Sequence, residues 1–458
     1  MSLKALKAIP IFWICPLFAV CTVALLVSCS KRVENAQGWR LPVKVTETEA
    51  GLGWITPYKW RDTIIGLLPL GDGPSKYFLL NQDHSSWSEV QLTGFPPDIV
   101  AYPGIDGNND RMIFHQGYKE NDKLFLHLFV ARMTLDGKTQ IEAERKWTFD
   151  KQSLFGNTGP NVRLNEPGRR EELGFAGCLI NGLEIHVVYC LAGQTISEIN
   201  TLTHGPFNSG VFYSPDLGKT WQIESISQTE TFNASVCRTK GQYYYFGTSL
   251  GGGKGHDLWF ARKLIEGSSW TSPKTVTKNL ARAYGRSVAV ASDDTVHLCW
   301  MDCRRGKMRL NPEAPYSQNY EIAYCQREDS DSGWSKDIIL SKGMSYCYAP
   351  SISVEGAKIV VAWAGTTAAQ KSHSADDPND IYYVTSRDGG STWAKLLKVT
   401  DGAKDGITSG EPQVTLQNGV IHLFYTQGKL SLQPISPGLT KLNQPPWPIY
   451  YQRRPFPN

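Results

Sequence analysis

The 458-residue chain has almost no excess charge: 47 Lys and Arg against 43 Asp and Glu leave a formal +4. No basic stripe or arginine-rich run occurs, which excludes nucleic acid as an expected partner. The apolar runs show no helical periodicity, so helix bundles and α/β sheets are excluded too. No CxxC pair exists, and Cys299/Cys303 has no matching second pair, which rules out the usual zinc arrangements. Asp106-Gly-Asn-Asn-Asp110 is too short for a calcium loop and reads as a hairpin turn. Neither a metal nor a cofactor is expected. Methionine is scarce at 6, whereas Trp (14) and Tyr (20) are abundant. Gly and Pro are spread along the whole chain, as many short strands joined by turns require.

One long uncharged apolar run is present, Ile11 to Val27, after Lys4 and Lys7. A charged start, an apolar middle containing Pro16 and a small residue before the cut are the parts of a secretory signal. Leu26-Val27-Ser28-Cys29 resembles the bacterial lipobox, which implies cleavage before Cys29 and acylation of its thiol. The expected order is a signal over residues 1–28, a lipidated tether over 29–45 and one domain over 46–458. Ser30 lacks the aspartate tied to inner-membrane retention, so the implied address is the cell envelope, at an outer membrane. Of ten cysteines, Cys15 and Cys21 leave with the signal and Cys29 is the lipid site. Seven remain, an odd number, so at least one is unpaired.

The mature part carries an internal repeat. Ser214-Pro-Asp216-Leu-Gly218-Lys-Thr220-Trp221 recurs as Ser386-Arg-Asp388-Gly-Gly390-Ser-Thr392-Trp393. Aspartate and small polar residues bond the backbone of a tight turn, and glycine permits its left-handed step. Weaker copies are Ser85-Ser-Trp87, Thr134-Leu-Asp136-Gly-Lys-Thr139, Gly267-Ser-Ser-Trp270 and Ser332-Gly-Trp334, making six turns spaced roughly 50 to 80 residues apart. Each is flanked by short β-branched and aromatic runs, such as Thr295-Val-His-Leu-Cys-Trp300 and Asp380-Ile-Tyr-Tyr383. Four strands per repeat read as the blades of a β-propeller. The pattern S-x-D-x-G-x-T-W resembles the Asp-box of the sialidase-like, BNR-repeat superfamily, across nearly all the mature chain. The expected fold is therefore all-β, a sialidase-like propeller of six blades, with seven as the alternative. The tail supplies three strands of a last blade, and residues 52–97 are expected to supply the fourth.

Turns of this type share one face, and the long loops gather on the other, which marks the binding side. Arg169, Arg170, Arg282, Arg286, Arg304 and Arg305, with Tyr284 and His373, are expected to bind an acidic group, since convergent arginines hold carboxylate or sulfate by paired contacts. His186, His297 and His422 recur at one blade position and read as scaffold. The resemblance implies a tyrosine nucleophile paired with glutamate and an aspartate acid/base, a departure from the two-carboxylate scheme. Tyr348, Glu411 and Asp302 are the residues placed to fill those roles. The Arg-Ile-Pro signature of sialidases is absent. The expected function is exo-glycosidase-like hydrolysis of a glycan or glycoconjugate bearing acidic groups. A non-catalytic glycan- or protein-binding propeller and a lyase of uronic-acid glycans are the alternatives.

Overall fold

A computed structural model describes residues 38–47, 55–68, 76–81, 86–90, 105–106, 110–120, 123–134, 138–149, 171–193, 196–197, 201–202, 208–227, 231–250, 256–277, 283–290, 294–302, 320–330, 333–367, 378–429, 432–436, 439–442 and 447–457. The strands form seven four-stranded antiparallel sheets. In chain order the blades span residues 56–90 (blade I), 105–149 (II), 171–227 (III), 231–275 (IV), 283–339 (V), 344–398 (VI) and 407–455 (VII). Blade VII takes its outermost strand from Val43–Glu47, which pairs with Pro448–Pro455. Two small hairpins, 196–202 in blade III and 432–442 in blade VII, are insertions. No helix among the described residues is long and apolar enough to cross a membrane.

Seven blades replace the six favoured from the turns, and the reason is the closure. Six blades each carry one turn between third and fourth strands, so counting turns counts six. The seventh has none, because its third and fourth strands come from opposite ends of the chain. The closing strand is residues 43–47, ahead of the 52–97 segment expected to supply it; that segment instead holds blade I. Trp39 is buried against Tyr383, ring centroids 5.4 Å apart, so packing begins before residue 46.

Strand geometry explains why a ring forms. Successive side chains point to opposite faces of a sheet, and each blade has a neighbour on both faces. In the second strand of blade VI, Lys358–Thr367, Val360, Ala362 and Ala364 face the core shared with blade VII. Val361 and Trp363 face the core shared with blade V. That is why the run is apolar without alternation. Seven such cores are found, one for each adjacent pair of blades, including VII with I.

The turn tryptophans complete these cores from the rim. In the turn of blade VI, Asp388 accepts the Thr392 N–H (2.8 Å) and hydroxyl, and Ser386 accepts the Gly390 N–H (2.9 Å). These bonds hold the exposed Asp388 carboxyl down at about 2. Asp216, Thr220, Ser214 and Gly218 repeat the scheme in blade III. Trp393 then packs edge-on against Tyr324 of blade V, and Trp87 of blade I against Phe424 and Tyr451 of blade VII. Behind them, His297 Nδ1 lies 2.6 Å from the Tyr324 hydroxyl and His422 Nδ1 lies 2.8 Å from that of Tyr451. Both histidines are buried scaffold, as their recurrence suggested.

A second repeat escaped sequence reading. Thr277, Ser341 and Thr400, each nineteen residues beyond its partner, accept the N–H of Leu258, Ile322 and Ile381 at the start of the third strand. Asp257 and Asp380 accept the hydroxyls of Thr277 and Thr400, so both aspartates are part of the frame. Asp106 pairs with Arg111 and Asp110 accepts from Arg61, while residues 107–109 between them lie outside the described residues. Cys237 and Cys347 are buried free thiols; the side chain of Cys190 and the whole of Cys303 lie outside those described.

The adjacent glycines of the blade VI turn separate conformation from space. Gly389 has φ 67° with nothing near a would-be Cβ, whereas at Gly390 (φ 91°) it would lie 2.2 Å from the Tyr324 hydroxyl. Gly389→Ala should cost about 1–2 kcal/mol, the left-handed penalty alone. Gly390→Ala should cost roughly 3 kcal/mol or more, because Tyr324 must also leave His297 and Trp393. Urea unfolding of the two variants checks the order.

Candidate active site

The inner strand of each blade starts on the face opposite the turns, and the second strand ends there. Tyr348, Glu411 and Asp302 therefore stand on the long-loop face, near the mouth of the central channel.

The inner strands of blades III to VII all carry a register shift, and those of blades VI and VII share a backbone feature there. In blade VI, Tyr348 lies opposite Ala364 and Ser351 opposite Ala362. In blade VII, Gly410 lies opposite Thr426 and Gln413 opposite Phe424. Three steps on the inner strand thus match two on its neighbour, a β-bulge in each. The bulged residues are Ala349 (φ 50°) and Glu411 (φ 48°), each followed by proline. They are the only non-glycine residues of positive φ inside strands among those described. A residue before proline prefers extended backbone, so both positions are strained, and such strain collects at functional sites. Glu411 occupies the position that Ala349 fills in the neighbouring blade. A glutamate in place of a small bulge residue is the signal that a blade-by-blade alignment of the sequence would have shown.

The surroundings set the chemistry. Glu411 is partly buried, and among the described residues it has no ion-pair partner. Burial pushes its carboxyl up from the ordinary 4.5 to about 7. Tyr348 is held well above its usual range, first by burial and then by the negative charge of Glu411. Tyr346 is pushed up to about 12 by burial, Cys347 and Glu411. The structure therefore brings Tyr348 and Glu411 together and adds Tyr346, whose ring centroid lies 5.6 Å from that of Tyr348. Tyr320 of blade V extends the aromatic group, 6.3 Å from Tyr346.

Asp302 differs. It is buried at 1% exposure, one strand out from the channel, and accepts the indole N–H of Trp300 at 2.9 Å. That bond lies within the second strand of blade V. Arg286 and Tyr284 sit in the inner strand of blade V, opposite Trp300 and Met301. Their side chains lie outside those described. Arg169, Arg170, Arg282, Arg304, Arg305, His373 and Cys29 lie outside the described residues altogether.

The fold is thus a seven-bladed propeller with a strained tyrosine–glutamate pair at one mouth. No protein-family model matches the chain, and no curated protein matches it in sequence. Among solved structures it is similar to the polysaccharide lyase Uly1, at 8% identity and TM-score 0.53, covering 92% of this chain and 100% of that one. It is also similar to the endosialidase of phage phi92 (10% identity, TM-score 0.43, covering 91% and 69%). A third is the α-L-arabinofuranosidase Arb93A from Fusarium graminearum (11% identity, TM-score 0.41, covering 90% and 96%). At these identities the likeness is one of fold.

The raised Glu411 has a consequence for stability. Between the ordinary 4.5 and about 7 the folded chain binds a proton that the unfolded chain has lost, so stability falls as pH rises through that window. Glu411→Gln removes the slope. It should stabilise the protein by roughly 2–3 kcal/mol above pH 7 and by little near pH 4.5. Denaturant midpoints at the two pH values measure this.

Proposed function

We propose that the protein is a glycan-acting propeller enzyme that cleaves a glycosidic bond at Tyr348 and Glu411. The observation that carries the reading is the pair itself, a glutamate without an ion-pair partner among the described residues next to a part-buried tyrosine, at a strained stretch of backbone. A general base works best when its proton affinity lies near the working pH, and burial gives Glu411 that value. In hydrolysis, the Tyr348 oxygen attacks the anomeric carbon while its proton passes to Glu411, and the bond to the leaving group breaks as the leaving oxygen takes a proton from solvent at the channel mouth. Water then cleaves the glycosyl–tyrosine bond: its hydroxyl goes to the sugar, its proton returns to solvent, and Glu411 gives its proton back to the tyrosine oxygen. A neutral nucleophile avoids repulsion from a carboxylate on the sugar, which agrees with an acidic glycan as substrate. Tyr346 and Tyr320 offer apolar surface to a sugar ring.

A second reading has one specific support: the fold of the polysaccharide lyase Uly1 is matched over that protein's whole length. In a lyase the same tyrosine would move a proton in β-elimination at a uronate, and Glu411 would tune it. Fluorogenic sialosides and arabinosides, together with uronic-acid polysaccharides, separate the two. Released fluorophore marks hydrolysis, and ultraviolet absorbance of an unsaturated uronate marks elimination. With either chemistry, Tyr348→Phe and Glu411→Gln should lower kcat by about 100-fold or more with the fold intact. Inertness of the wild-type protein on the whole panel would leave the binding-module reading in its place.

The proposal includes anchorage at the cell envelope through an acylated Cys29, supported by the Leu-Val-Ser-Cys sequence. Cys29→Ser should move the protein from the membrane fraction to the soluble one and abolish labelling by a fatty-acid probe.

A further inference from the structure

The inner strands that carry Ala349 and Glu411 are fastened to each other. An inner strand pairs on one edge with its own blade, and the N–H groups on its other edge need acceptors from elsewhere. In blade VII those acceptors are side chains of blade VI. Ser351 Oγ accepts the Val414 N–H at 3.1 Å and Ser353 Oγ accepts the Leu416 N–H at 2.9 Å. Glu355 accepts the N–H groups of Asn418 and Gly419, each at 2.7 Å. The acceptors recur every second residue and so do the donors. Ser351 and Ser353 are buried, at 5% and 8% exposure.

The first of these bonds is set apart by its place. Ser351 directly follows Ala349-Pro350, and Val414 lies two residues beyond Pro412. The Ser351–Val414 bond therefore joins the two bulges, just below the residues they present. Ser353 makes the same kind of bond one step further from the channel mouth. We propose that Ser351 is a positioning residue, which holds the strand carrying Tyr348 in register with the strand carrying Glu411. The inference rests on the reading of that pair as the reactive site, and its geometric part can be tested separately.

Losing the hydroxyl should let the bulges separate and admit water to Glu411, whose described titratable neighbours are Tyr346 and Tyr348. The test compares Ser351→Ala with Ser353→Ala in the full chain, each with and without Glu411→Gln. The pH at which the Glu411-linked stability difference is half-developed should move down by about one unit in Ser351→Ala, as expected for a more hydrated carboxyl. It should stay in place in Ser353→Ala, although both variants lose one buried hydrogen bond. Ser351→Thr, which keeps the acceptor, should retain the wild-type midpoint. On a substrate found active, Ser351→Ala should lower kcat about tenfold with little change in KM, and Ser353→Ala should leave both near wild type. Equal midpoint shifts in the two alanine variants, or none in either, would overturn the proposal. A shift confined to Ser351→Ala in a protein inert on every glycan would uphold the positioning and refute the catalytic reading.

Discussion

Everything in this molecule depends on apolar contact between blades. A single four-stranded blade has two apolar faces and can bury neither alone. Each core is completed only by the next sheet, and the ring has no end until residues 43–47 join blade VII. Closure covers the last exposed apolar faces, those between blade VII and blade I. The turn motif serves the same end: its hydrogen bonds fix a backbone that delivers tryptophan to the neighbour's core. The His–Tyr contacts brace the surface that receives it.

Against this regular frame the candidate site is an irregularity. The inner strands of blades III to VII all carry a bulge, but among the described residues only those of VI and VII set a non-glycine residue at positive φ before proline, and one of these places a carboxyl where its charge is disfavoured. Each feature opposes stability, and each is local to one channel mouth. A protein tolerates such features where function depends on them, and the surrounding cores supply the stability that offsets them. The side-chain acceptors from Ser351 to Glu355 show how the frame contains the strain: the distorted strands are tied at every second residue just beneath it.

Much of this was legible in the chain. The repeated turns announced a propeller, and the loop lengths indicated the face on which Tyr348 and Glu411 stand. The blade count was not legible from turns, because the closing blade is assembled from both termini and has no turn to count. The nineteen-residue link from Leu258, Ile322 and Ile381 to Thr277, Ser341 and Thr400 was hidden too. A single hydroxyl bonded to backbone leaves no periodic trace in hydrophobicity. Asp302 shows the converse. Its residue type and place at a strand end favour it, yet it is buried and accepts the Trp300 indole N–H.

The sequence by itself determined the architecture, since alternation, turn chemistry and tryptophan spacing are local properties that each blade states again. It also determined which residues could do chemistry, through their type and their place at strand ends. Only the tertiary structure decided that seven blades close the ring, because closure is a relation between residues 43–47 and 448–455. Only it decided that Tyr348 and Glu411, sixty-three positions apart, share one environment. Burial raises the proton affinity of both, and the Glu411 charge raises that of Tyr348 further, conditions that exist only once two neighbouring blades are packed.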